Sequence, residues 1–341
     1  MHLFNIKNNY SWFFAHLFVP LTPSKVLSFD NKNKNRHFCF VLFSLIRTFA
    51  CLSSMNHLKV TGWLLMLLAL ASCNKQHDMD KGNSVYYWRT DLHLDSTERA
   101  FLVQYDIKKA YCRYFDVVIN HESEGPVPNA TISFSASFPP DIEIIPTVYI
   151  TEDCMHEWHE ELAEKMVQRI RQMNETNDIR GVSEIQIDCD YTAKSRRTYY
   201  RFLEAVRKAW GKTLSTTIRL HQLSMAAPPV DYGVLMVYNT GNPQKFTERN
   251  PILDIRDVKP YLRYLSDYPL PMAAAYPVFS WLRTIQGVHI THTVEADEIL
   301  RVKEAIEHER PTLGHAIVTY HLDKENINRY LQETYEKIYR H

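Results

Sequence analysis

Glu184-Ile185-Gln186-Ile187-Asp188-Cys189-Asp190 alternates polar and apolar residues without a break. A strand turns successive side chains to opposite faces, so Glu184, Gln186, Asp188 and Asp190 share one side and Ile185, Ile187 and Cys189 the other. The isoleucines are expected to pack under helices and the polar row to line the inside of a barrel, where carboxylates mark a candidate site. On both sides of this segment, from Val85 to the C-terminus, short β-rich runs alternate with helix-period segments, the pattern of parallel βα units. Expected strands are 85–88, 111–118, 142–150, 184–190, 214–220, 234–238, 274–281 and 316–320. Leu162, Met166, Ile170 and Met173 recur at helical spacing, as do Tyr199, Phe202, Leu203, Val206 and Trp210. Ile327, Leu331, Tyr335 and Ile338 suggest one closing helix. Eight such units in about 250 residues predict an α/β (β/α)8 TIM-type barrel over residues 85–341, with an open doubly wound sheet as the competing architecture. Pro139 and Pro140 cannot lie inside a central strand, so 131–138 is expected to form a small outer hairpin.

The chain upstream has a different character. Met55 opens a second candidate start, followed by Asn56, His57 and Lys59, an apolar run from Val60 to Leu70, and the small-residue end Leu70-Ala71-Ser72-Cys73. The apolar run is too short and wrongly flanked to span a bilayer and follows the logic of a cleaved secretory segment. It resembles a bacterial lipoprotein signal over residues 55–73, which implies lipidation at Cys73. Residues 1–54 are then expected to be an upstream extension from a start assigned too early. Residues 74–84, with Lys75, Gln76, Asp78, Asp80, Lys81 and Gly82, have the composition of a flexible tether. The expected location is the cell envelope, lipid-anchored at the outer membrane.

Residues 1–73 hold seven of the chain's 39 basic residues and one of its 39 acidic residues, so the remainder is mildly acidic. A phosphate backbone needs a basic stripe, and nucleic acid is not an expected partner. Beyond Cys73 stand Cys112, Cys154 and Cys189, without the spacing of a structural zinc site. Cys112 and Cys189 are read as apolar-face thiols. His156 and His159 lie one helical turn apart, but no HExxH motif is present, and neither metal nor cofactor is expected.

Barrel chemistry collects where strands end. The expected ends carry Trp88 and Arg89; Arg113 and Asp116; Glu152 and Asp153; Asp188 and Asp190; Arg219, His221 and Gln222; Tyr238 and Asn239; Ser280, Trp281 and Arg283; and His321 and Asp323. Aromatic faces cover the apolar side of a sugar, while carboxylates, amides and arginines bind its hydroxyls, so a glycan or similar polar ligand is the expected partner. Asp190 is the candidate general acid, with Asp116, Glu152 or Asp153 as partner. Asp188 is either a second catalytic carboxyl or one half of a structural ion pair with Arg113 or Arg219. Arg113, Asp116, Asp153, Arg219, His221, Tyr238, Asn239, Trp281 and His321 are candidate binding residues.

From about Tyr86 to the last helix the chain resembles an uncharacterised family of bacterial lipoproteins with a glycosidase-like barrel. The carrying segments are Glu184 to Thr192, Thr217-Ile218-Arg219-Leu220-His221-Gln222, Leu235-Met236-Val237-Tyr238-Asn239 and Tyr276-Pro277-Val278-Phe279-Ser280-Trp281. The family implies a fold but no activity. More distantly, the acidic fourth strand, the Met-Val-Tyr sixth strand and the late Trp look like chitinase-type glycosidases. Those enzymes place a Glu acid two residues beyond an Asp, where this chain has Thr192 after Asp190. Three functions follow as expectations: glycan hydrolysis by carboxylate acid/base chemistry, carbohydrate binding without turnover, and a scaffold in an envelope complex.

Overall fold

The computed structural model describes residues 82–120, 125–241, 249–285 and 288–340. The expected upstream extension, the lipoprotein signal with Cys73 and the tether up to Lys81 lie outside the described residues. Strand β1 (Gly82–Tyr87) is followed by the short β2 (Asp91–Leu92), helix α1 (Ser96–Gln104) and the long β3 (Ile107–Asn120). Next come β4 (Gly125–Asn129), β5 (Ser133–Phe134), β6 (Glu143–Ile150), α2 (Leu162–Thr176), β7 (Glu184–Asp188), α3 (Arg196–Trp210), β8 (Thr213–Arg219) and β9 (Tyr232–Met236). The chain closes with α4 (Ile255–Leu262), β10 (Met272–Pro277), β11 (Ser280–Ile285), β12 (Val288–Thr293), α5 (Ala296–Glu309), β13 (Ala316–Tyr320), α6 (Lys324–Ile327) and α7 (Gln332–Ile338).

Eight parallel strands run in the order β1, β3, β6, β7, β8, β9, β10, β13, and β13 pairs back onto β1. That closure makes the sheet a barrel and removes the open doubly wound alternative. Helices follow the local chemistry. Asp95 caps α1 by accepting the Glu98 amide at 2.9 Å, while Glu98 accepts the Asp95 amide at 2.9 Å, a reciprocal capping box. Tyr199, Phe202, Leu203, Val206 and Trp210 form the buried face of α3, and Gly211, at φ +74°, ends it in the left-handed conformation that glycine adopts without strain. This face joins Ile185, Ile187 and the buried Met166, Val167 and Ile170 of α2 in one apolar core. Tyr199 Oη lies 2.6 Å from Thr216 Oγ1, so the helix is pinned to the outer face of β8 by a polar contact as well. Among the described residues no helix is long and apolar enough to cross a membrane.

Four expectations change. The seventh strand stops at Pro277, and Trp281 belongs to a separate antiparallel hairpin, β11 with β12. Proline has no N–H to continue a ladder, which accounts for the break. The expected hairpin at 131–138 is reduced to a two-residue parallel pairing of β5 with β2. The Pro-rich segment before it, Gly125–Asn129, instead pairs antiparallel with the outer part of β3, as an edge strand where prolines are tolerated. The single closing helix is two, α6 and α7, and Leu331 between them is 77% exposed rather than core. Finally, β1 begins at Gly82, so the last residues of the expected tether are strand.

Candidate functional site in the barrel mouth

The polar row of β7 resolves into levels. Glu184 is deepest, 1% exposed, accepting Ser215 Oγ at 2.6 Å and Lys109 Nζ at 3.4 Å. Burial, opposed by Lys109 and Ser215, raises its pKa above the ordinary glutamate value. Nearby, Tyr111 and Tyr232 join hydroxyls at 3.0 Å. Gln186 forms the middle level, accepting Tyr86 Oη at 2.8 Å. These levels fill the barrel interior with buried, hydrogen-bonded side chains. Asp188 is the top level, 2% exposed, its carboxylate accepting Thr217 Oγ1 at 2.6 Å and Arg219 Nη2 at 2.9 Å. The ion-pair alternative for Asp188 is therefore realised, with Arg219 and not Arg113.

Asp190 differs from its neighbours on the row because β7 ends at Asp188. Its side chain is 57% exposed and stands 4.0 Å from Arg219 Nε and 3.6 Å from His221 Nε2. His221, expected to share a strand face with Arg219, sits instead in a short 3-10 turn over Leu220–Ser224, which still carries its ring to Asp190. Burial works against the Arg219 charge, but Asp188 first among the surrounding negative groups outweighs it and holds the guanidinium above its ordinary pKa. Glu152, in the turn after β6, accepts Thr192 Oγ1 at 2.9 Å and lies 2.7 Å from His156 Nε2. A hydrogen bond from Ser195, with those from Thr192 and His156, holds its carboxyl below the ordinary glutamate value.

The opposite half of the mouth is aromatic. Tyr320, at the end of β13, stacks on Tyr238 with ring centres 4.8 Å apart. Phe279, Trp88 and Tyr86 surround it at 5.4, 5.6 and 5.5 Å. Trp281 continues the cluster, 5.8 Å from Phe279. Tyr238 is buried, and among the described residues its hydroxyl has no hydrogen-bond partner; nor have His321 Nδ1 and His292 Nε2, the latter on the residue paired across the hairpin with Trp281. Burial first, and then the neighbouring Tyr86 and Tyr320 hydroxyls, raise the Tyr238 pKa, while burial lowers that of His321. A buried hydroxyl without a partner costs about 1–3 kcal/mol, which a ligand able to hydrogen-bond would relieve. Between the halves, Arg113 grips Asp116 through Nε at 2.7 Å and through Nη2, and its guanidinium carbon lies 5.7 Å from the Trp88 ring.

The structure thus gathers Asp188, Asp190, Arg219 and His221 into one network, Arg113 with Asp116 into another, and Tyr238, Trp281 and His321 into the aromatic half. Asp153 is exposed and occupied locally, accepting Thr151 Oγ1 and the Cys154 amide at 2.9 Å. Asn239 turns the chain out of the mouth at φ +56°, a left-handed position that asparagine tolerates. Cys112, Cys154 and Cys189 are buried and free. Among the described residues no group of three or more histidine, cysteine or acidic side chains gathers to hold a metal. Strand-end reading passes over Tyr149 and Tyr320. Both follow the inward alternation, Tyr149 two residues after Thr147 and beside Asp188 in register.

No protein-family model matches the chain, and no curated protein is found as a relative. Among solved structures, a chitinase from Bacteroides thetaiotaomicron is similar at 12% identity and TM-score 0.48, covering 76% of this chain and 96% of that one. A xylanase-A-amylase inhibitor protein is similar at 11% identity and TM-score 0.46, covering 76% and 97%. A GH113 β-mannanase from Alicyclobacillus acidocaldarius follows at 10% identity and TM-score 0.41, covering 77% and 93%. At this level of identity and superposition the reading of the site rests on its own residues.

Proposed function

We propose that the protein is a lipid-anchored envelope protein that holds a glycan in the barrel mouth and processes it, with Asp190 as the proton-donating carboxyl. The anchor is supported by the Met55 to Cys73 segment, and the envelope location follows from it. The glycan reading is carried by one juxtaposition. An exposed carboxyl, Asp190, stands beside a fixed guanidinium at a barrel mouth whose other half is a cluster of aromatics, one of them a buried tyrosine whose hydroxyl lacks a partner among the described residues. Aromatic faces stack on sugar rings, and the polar atoms answer hydroxyls.

In the hydrolytic step, Asp190 gives its proton to the glycosidic oxygen as the bond to the anomeric carbon breaks. Water adds to that carbon and yields a proton to a second carboxylate. Glu152, whose hydrogen bonds favour its ionised form, suits that second role. Asp188 does not donate the proton in this scheme; it fixes Arg219. A glycan array run beside a hydrolysis assay tests the proposal. Asp190→Asn is expected to keep binding and lose product, and unchanged turnover in that variant rejects the acid role.

A second reading, binding without turnover, is favoured by a specific observation. Asp116, Asp188 and Glu152 each already accept strong hydrogen bonds from protein neighbours. Binding on the array with no product from any bound glycan selects this reading.

A further inference from the structure

Arg113 and Asp116 are three residues apart on one strand, a spacing that normally puts side chains on opposite faces. Here they grip each other, because β3 carries a bulge. Arg113 pairs with Thr147 and Phe115 with Val148, leaving Tyr114 as an extra residue. Tyr114 and Phe115 both turn outward: Tyr114 Oη donates to Asn174 Oδ1 of α2 at 2.7 Å, and the Arg169 guanidinium lies over the Phe115 ring at 5.1 Å. Asp116 then rejoins the inward face and pairs in register with Tyr149, itself in register with Asp188. Without the extra residue, the Asp116 carboxylate would point at the helices.

Stability does not explain this device. A bulge disrupts the ladder locally, and an ion pair this far removed from water gives back little against a well-packed apolar pair, because its attraction is offset by lost hydration. The Arg113 and Asp116 side chains remain 18% and 9% exposed, with donors and lone pairs unused by their mutual contact. Trp88, partly exposed just past β1, lies alongside. A planar ring beside a fork of matched donors and acceptors is the equipment for one sugar residue.

We propose that Trp88, Arg113 and Asp116 form a second sugar subsite, so that the ligand is an oligosaccharide and not a single sugar. The inference rests on the glycan reading above. Asp116, Tyr149 and Asp188 occupy one register row across three adjacent strands, so the two charged clusters lie about 10 Å apart, two strand spacings. That separation suits linked sugar rings, with Tyr149 between them as a further stacking face.

The test is calorimetric titration of the described barrel within the full chain, using manno-, cello- and chito-oligosaccharides of one to five residues. The wild type is expected to bind the longer members of one series more tightly than its monosaccharide. Trp88→Ala and Asp116→Asn are expected to flatten that gain, weakening the longer members about tenfold or more, about 1.4 kcal/mol, with a smaller loss for the monosaccharide because Trp88 also packs on Tyr320 of the aromatic half. Circular dichroism melting identifies a misfolded variant, and Arg113→Lys, which keeps the charge but loses the fork, provides a second chance at the same readout. A purely structural role would weaken every length equally and overturns the subsite, as does affinity independent of length in the wild type. Failure of the wild type to bind any member sinks the glycan reading itself, a result distinct from either.

Discussion

The two halves of the barrel mouth are held in place by different physics. On β7 and β8, Asp188, Arg219, Asp190 and His221 form a charged network whose inner pair is nearly removed from water. Around β1, β10 and β13, Trp88, Tyr320, Tyr238, Phe279 and Trp281 pack ring on ring. A buried ion pair is all or nothing, because removing one partner strands the other. An aromatic cluster loses area in proportion to what is removed. The charged half should therefore govern whether the mouth exists, and the aromatic half how well it grips.

The largest effect is expected at Arg219. Arg219→Met leaves the Asp188 carboxylate buried with Thr217 as its one remaining hydrogen-bond partner among the described residues, at a cost of about 3 kcal/mol or more in urea unfolding, and Asp188→Asn added to it should recover part of the loss. A cost no greater than that of an aromatic truncation would erase the distinction between the halves. Tyr320→Ala, by comparison, is expected to cost about 2 kcal/mol, because Tyr320 is partly exposed and its neighbours can close over the gap.

Glu184 extends the comparison down the barrel. Its pKa is raised by burial, so below the ordinary value of 4.5 both folded and unfolded chains hold the proton and burial imposes no penalty. As pH rises from there towards the folded-state pKa, the unfolded chain releases its proton first, and stability falls by about 1.4 kcal/mol per pH unit until the folded chain ionises as well. Glu184→Gln is expected to flatten that slope in unfolding measurements between pH 4.5 and neutrality. An unchanged slope would show that Lys109 and Ser215 already compensate the charge. The smallest effect on stability belongs to Asp190→Asn, within about 0.5 kcal/mol because the side chain is exposed, even though turnover is expected to vanish.

Much of this is legible in the residues. Alternation locates all eight barrel strands, and the last, Ala316–Tyr320, agrees in both ends. The seventh extends too far in that reading because Tyr276 to Trp281 is a largely apolar run, and only Pro277 marks the exit. Asp188 and Arg219 are readable as a pair because both sit on inward positions of adjacent strands. The Arg113–Asp116 fork is not derivable, since regular alternation assigns the two to opposite faces and the bulge depends on Tyr114 finding Asn174 on a distant helix. Tyr149 escapes notice because it lies one residue inside the end of its strand, and Tyr320, the last residue of its own, because His321 and Asp323 just beyond it draw the assignment.

The most direct measurement is a crystal structure of the Asp190→Asn variant soaked with the tightest-binding oligosaccharide. Sugar rings against Trp88 and Tyr320, with a glycosidic oxygen at position 190, are the expected result. Density for the sugar on the outer helices, or a mouth that stays free of it at saturating ligand, would contradict the barrel mouth as a glycan site.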